Sequence, residues 1–173
     1  MSSPFLAIAA LGLALALPLA VVPAQDGPDD PTIVAIFDAA NTADIETGQL
    51  AAEKGSTEAV RQFGMMLVRD HRAVRQQGRD LAARLGVTPT PPRDDSSGRD
   101  HATVMERLRG LSGAEFDCAF LEHEIAFHAA VIEAVKTTLL PAIDNAEVRA
   151  LVEKVAPAFV AHQKAAESLL AKM

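Results

Sequence analysis

Two long stretches of helical periodicity meet at Gly55 with no more than three residues of turn between them, and nothing else in the chain constrains its fold as tightly. The first opens at Asp30-Pro31, an N-capping residue followed by a proline suited to the first helical position, and runs to about Lys54. The second is capped by Ser56 or Thr57 and runs to about Leu85, before Gly86. Helices of this length joined by so short a turn must lie antiparallel and side by side.

Residues 86–98 (GVTPTPPRDDSSG) then read as a Pro/Ser/Asp linker, followed by a short amphipathic piece from about His101 to Leu111. Ser112-Gly113-Ala114-Glu115 has the form of a capping box opening a third long helix, which continues to about Thr138. Pro141 is expected to break the chain, and Asp144 or Asn145 to cap a fourth helix reaching nearly to Met173, with a kink at Pro157. Hairpin, long crossover, hairpin is the connectivity of ferritin-like proteins. The expected fold is therefore all-α: an antiparallel four-helix bundle, ferritin-like, with the crossover between helices 2 and 3, over residues 31–173. No repeat and no strand-period segment competes with it.

The first 24 residues are set apart from this domain. Phe5 to Val22 is apolar and uncharged, and it ends at Val22-Pro23-Ala24, a small-x-small pattern suited to signal-peptidase cleavage before Gln25. No Lys or Arg precedes the run, and an uncleaved anchor is the alternative. Residues 25–30 form a polar spacer. The expectation is export to the periplasm or beyond the cytoplasmic membrane, with no integral membrane segment in the mature chain. A net charge of −7 argues against nucleic acid and anionic membranes as partners; protein partners are not readable from it. Cys118 is the one cysteine, so no internal disulfide can form.

Laid out at 100° per residue, all four apolar stripes are interrupted by polar groups. Asp44 falls among Ile33, Ile36, Phe37, Ala40, Thr47, Leu50 and Ala51 on the first helix. His71 lies at the centre of the face formed by Val60, Phe63, Gly64, Leu67, Val74, Gly78, Leu81, Ala82 and Leu85. The third helix carries His123, Glu124 and His128 within a broad face of Phe116, Ala119, Phe120, Phe127, Val131, Ala134 and Val135. The fourth carries His162 among Val148, Leu151, Val152, Val155, Phe159, Ala166 and Leu169. Glu46 falls at the margin of its stripe.

Burying such groups without partners costs on the order of 1–3 kcal/mol each. Either they form a hydrogen-bonded core network, or Asp44, His71, Glu124, His128 and His162 converge on a metal ion. Counting along the helices places Asp44 and His71 at similar heights but leaves His128 and His162 offset by about six residues, or roughly 9 Å. Di-iron carboxylate centres need Glu-x-x-His pairs. The residues three before each histidine are Val68, Gly98, Phe120, Ile125 and Phe159, so that signature is absent. A histidine-rich set suits Zn, Cu or a mononuclear Fe instead. Cys118 and Met65-Met66 read as packing residues, His101 as solvated, and His123 as either a ligand or a packing residue.

Several of these residues carry a family resemblance. Ala43 to Ala51 (ADIETGQLA), Val60 to Phe63, Asp70-His71, Leu111 to Asp117 (LSGAEFD), His128, Pro157 and His162 together resemble the family called Domain of Unknown Function 4142, over about residues 31–171. The resemblance implies a ferritin-like fold and export, and no activity. The chain departs from the family in having Asp44 where Glu is common and Phe127 where an acid often precedes the histidine. Three functional expectations follow: a non-enzymatic exported bundle that binds a transition metal in an envelope or stress role; an interaction module with a metal-free polar core; and, less favoured, a metal-dependent oxidase.

Overall fold

The computed structural model describes residues 27–173, so the expected signal peptide and the first two residues of the spacer lie outside the described residues. Every regular element among the described residues is helical. In chain order they are α1 (Asp30–Lys54), α2 (Glu58–Leu85), α3 (Ser97–Gly110), α4 (Gly113–Ala134), a π-helical turn (Val135–Leu139), α5 (Leu140–Ala142) and α6 (Ala146–Leu170). α1 packs along α2 and α4 along α6, and the two pairs are joined by α2 against α6 and α1 against α4. The crossover holds α3, which covers α1 and α4.

The helix ends follow the local chemistry, with corrections. α1 is capped by Asp29, whose carboxylate accepts from the Thr32 amide at 3.0 Å, one residue before the expected Asp30. Asp30 instead accepts from the amides of Asp144 and Asn145, tying the start of α1 to the loop before α6. Thr57 caps α2, and Gly86 closes it in the left-handed region at φ 67°, where a side chain would be strained. Ser112 makes no side-chain cap bond, so the expected capping box does not form. Pro141 does not break the chain where expected. It sits at the second position of α5, directly after the π-helical turn and in the last turn of the continuous helical run, and helix continues to Ala142. Asn145 caps α6, and Pro157 lies inside it.

The interior is divided. One apolar cluster, built on Val60, Phe63, Leu67, Phe116, Phe120 and Leu121, fills the end near the α1–α2 turn. A second, built on Ile33, Leu81, Val135, Leu139, Val148 and Val152, fills the other end. Between them lies a buried polar layer of Asn41, Asp44, His71, Glu124, His128 and His162. Asp117, fully buried, accepts from the amides of Ser56 and Thr57 and the Ser56 hydroxyl, so α4 anchors the start of α2. Gly113–Ala142, a helical run of 30 residues, contains an 18-residue window of mean hydropathy 1.3 and is by length and composition apolar enough to cross a membrane; in this fold its inner side carries buried Glu124 and His128.

The α1–α2 contact depends on two glycines. A Cβ on Gly64 would lie 2.6 Å from the Gly48 carbonyl oxygen and 2.7 Å from the Ala52 nitrogen, and one on Gly48 would lie 2.8 Å from the Gly64 oxygen. These are backbone atoms, so relief requires the helices to separate. Gly64→Ala should therefore destabilise the protein by about 1–3 kcal/mol in urea unfolding, overriding the roughly 1 kcal/mol that alanine gains as the better helix former.

Candidate metal centre

The polar layer brings all five expected residues together. Asp44 comes from α1, His71 from α2, Glu124 and His128 from α4, and His162 from α6. The ring centroids of His71 and His162 are 5.0 Å apart, those of His128 and His162 5.4 Å, and those of His71 and His128 5.7 Å. One ring nitrogen from each lies within 4.8 Å of the other two, and Asp44, Glu124 and His128 form a second trio within the same limit. The expected offset between His128 and His162 does not occur. Because helix persists to Ala142, His128 lies 14 residues before that end and His162 lies 16 residues after Ala146, which brings them level.

Each imidazole is held by a hydrogen bond on its outer side. Asn41 donates its amide N–H to the Phe37 carbonyl at 2.7 Å, which turns its oxygen toward His71 Nδ1 at 2.9 Å. Nδ1 must therefore carry the proton, and Nε2 faces inward with a lone pair. His128 Nδ1 donates to the Glu124 carbonyl at 2.9 Å, again leaving Nε2 inward. His162 Nε2 donates to Asp70 Oδ2 at 3.2 Å, so its inner atom is Nδ1. Three lone pairs thus point at one another, with His71 Nε2 and His162 Nδ1 3.2 Å apart. A hydrogen bond between those two would need an extra proton on one ring. Fixing a ring by its other nitrogen is how proteins orient metal-binding histidines.

Electrostatics opposes that extra proton. Burial, and then the neighbouring rings, push His71 from its ordinary 6.5 to about 3. Burial takes His128 to about 4 and lowers His162 as well, even though Asp70 favours the charged His162. The carboxyls move the other way. Burial raises Asp44 well above 3.8, and the charge of Glu124 adds to the effect. Burial takes Glu124 to about 7, with nearby Thr47 and Asp44 offsetting it only in part. Asp44 Oδ2 lies 3.5 Å from His71 Nε2. Among the described residues, Asp44 Oδ2, both Glu124 oxygens and His128 Nε2 are buried with no hydrogen-bond partner. Neutral imidazoles and facing carboxyls with unused lone pairs form a set of donor atoms suited to a cation.

The remaining polar residues stand apart. Exposed Glu46 accepts from His101 at 2.8 Å, across α1 and α3. His123 packs beside Phe127 rather than in the layer, and burial lowers it to about 4. Cys118 is half-buried, Met65 is exposed and Met66 packs against the apolar cluster near the α1–α2 turn, as the packing reading of these residues expects. Two participants were not assigned a role from sequence. Asn41 lies beyond the apolar stripe read for α1, because α1 is buried against α2 as well as α4. Asp70 belongs to the Asp-His dipeptide yet serves the histidine of a different helix.

These shifts set opposite pH limits on the metal-free protein. From about pH 6.5 downward the unfolded chain binds protons that the depressed histidines refuse, so stability falls as pH drops toward 4. From about pH 4.5 upward the unfolded chain has released carboxyl protons that Glu124 retains to about 7, so this contribution is lost as pH rises through that window. Glu124→Gln removes the second effect alone. In thermal melts with chelator present, its melting temperature relative to the wild type should rise between about pH 5 and pH 8.

No curated protein matches the chain. Two solved structures share its fold. One is the crystal structure of a DUF305 fragment from Deinococcus radiodurans, 16% identical with TM-score 0.72, the match covering 83% of this chain and 95% of that one. The other is CopM in its Cu(II)-bound form, 12% identical with TM-score 0.66, covering 84% and 98%. The model of a family described as "Domain of unknown function (DUF4142)" matches residues 18–169. The chain therefore belongs to the DUF4142 family.

Proposed function

We propose that the protein is an exported, ferritin-like antiparallel four-helix bundle that holds one divalent transition-metal ion in its core. His71 Nε2, His128 Nε2 and His162 Nδ1 are the nitrogen ligands and Asp44 the carboxylate beside them. Glu124, behind His128 and facing Asp44, supplies the second negative charge that balances the ion. The observation that carries this reading is the set of four buried acceptor atoms without partners. In a metal-free core only protons held by the Asp44–Glu124 carboxyl pair could serve these atoms, and each one left without a partner costs about 1–3 kcal/mol.

Nitrogen and carboxylate donors without thiolate fit Cu(II) and Zn(II), and the Irving–Williams order places Cu(II) tightest. The Cu(II)-bound state of the similarly folded CopM supports the same choice. The absence of Glu-x-x-His pairs argues against di-iron oxidase or ferroxidase chemistry. Export, inferred from the apolar run and small-x-small end of residues 5–24, places such a protein in the envelope, where a metal-sequestering stress role suits it.

Titration of purified, chelator-treated protein with Cu(II), Zn(II) or Fe(II), read by mass spectrometry and calorimetry, should give one ion per chain with Cu(II) tightest. Binding should release protons from the carboxyl pair. Free ion at 1,000 times its Kd should stabilise the fold by about 4 kcal/mol. His71→Ala and His128→Ala should each lower affinity by about 100-fold or more, beyond what loss of an outer hydrogen-bond partner causes. A wild type that binds none of these ions, with unchanged melting temperature, together with a more stable His71→Leu, would favour the metal-free network.

A further inference from the structure

Resting on that reading, we propose that Asp70 is the loading residue of the centre. A divalent cation is captured first at the α2–α6 seam by the Asp70 carboxylate, which then lets go of the His162 Nε2–H that it accepts in the resting protein. Movement of the His162 ring then delivers it to the inner nitrogens.

Access is the first argument. Asp44, His71, Glu124 and His128 are at most 2% exposed, so none of them meets an ion in water. His162 is nearly as enclosed, but its partner Asp70 has 31% of its side chain exposed. Of the groups gathered at the centre, this pair reaches the surface. The His162 ring spans the whole distance, with Nε2 3.2 Å from Asp70 Oδ2 and Nδ1 3.2 Å from His71 Nε2. Both nitrogens of one side chain therefore address the two ends of a short path.

The neighbourhood is built for exchange. The other Asp70 oxygen, Oδ1, accepts from Arg69 Nε at 2.7 Å, and the Arg69 side chain is 73% exposed. An ion pair that exposed is weak and is readily displaced by an arriving cation. Pro157 precedes His162 within α6 and has no N–H to donate to the Glu153 carbonyl, so the helix lacks one backbone bond just before the segment that must move. The Asp-His dipeptide acquires two separate tasks: His71 faces the core, and Asp70, turned about 100° around the helix, faces the seam.

Stopped-flow mixing of the purified protein with Cu(II) separates loading from holding. Asp70→Asn keeps an oxygen to accept from His162 but removes the charge. Its second-order loading rate should fall by at least about tenfold, as loss of a steering charge predicts, while its equilibrium affinity stays within about tenfold of the wild type. Arg69→Gln, which frees the carboxylate, should load faster than the wild type, and Asp70→Glu should restore the rate. Circular dichroism checks that each variant is folded. An unchanged loading rate in Asp70→Asn, with the affinity loss appearing only in the release rate, overturns the proposal and makes Asp70 a positioning residue. A wild type that takes up no Cu(II) overturns the metal reading as well.

Discussion

Desolvation of the polar layer governs the rest of the structure. Six polar side chains are held between two apolar clusters that exclude water from above and below. In that setting a charge without a counter-charge is far more costly than in solvent. The imidazoles are therefore driven neutral and the carboxyls toward protonation. Neutral imidazole is the form that binds metal, and the protons of the acids are what a divalent ion displaces. One physical term thus prepares both halves of the centre.

The outer hydrogen bonds convert that tendency into geometry. An isolated neutral histidine has two tautomers and a ring that can flip. Asn41, the Glu124 carbonyl and Asp70 each fix one ring nitrogen as the donor. The other three nitrogens are left to converge within 4.8 Å of one another. The anchors come from α1, α2 and α4, so the centre is organised by the packing of all the long helices rather than by any single motif. The close approach of α1 and α2 through Gly48 and Gly64 sets the register that places Asn41 and Asp44 against His71.

The irregular end of α4 also serves the site. The π-helical turn Val135–Leu139 and the continuation through Pro141 lengthen the helix beyond the break that proline predicts. That extra length moves the α4–α6 turn and brings His128 level with His162. Sequence counting assumed an ordinary helix that stops before Pro141, and it therefore set the two histidines farther apart in height by about one turn.

The sequence alone was enough to determine the helical periods, the turn at Gly55, the crossover and the inward residues Asp44, His71, Glu124, His128 and His162, because periodicity and capping are local properties of the chain. It could not assign Asn41, which falls off an apolar stripe that counts only hydrophobic positions, nor Asp70, whose partner lies 92 residues away on another helix. Tertiary structure alone decided the heights of the histidines, the tautomer of each and the convergence of three lone pairs. Those depend on where α4 ends and on contacts between helices, and such contacts arise from packing rather than from any period along a single element.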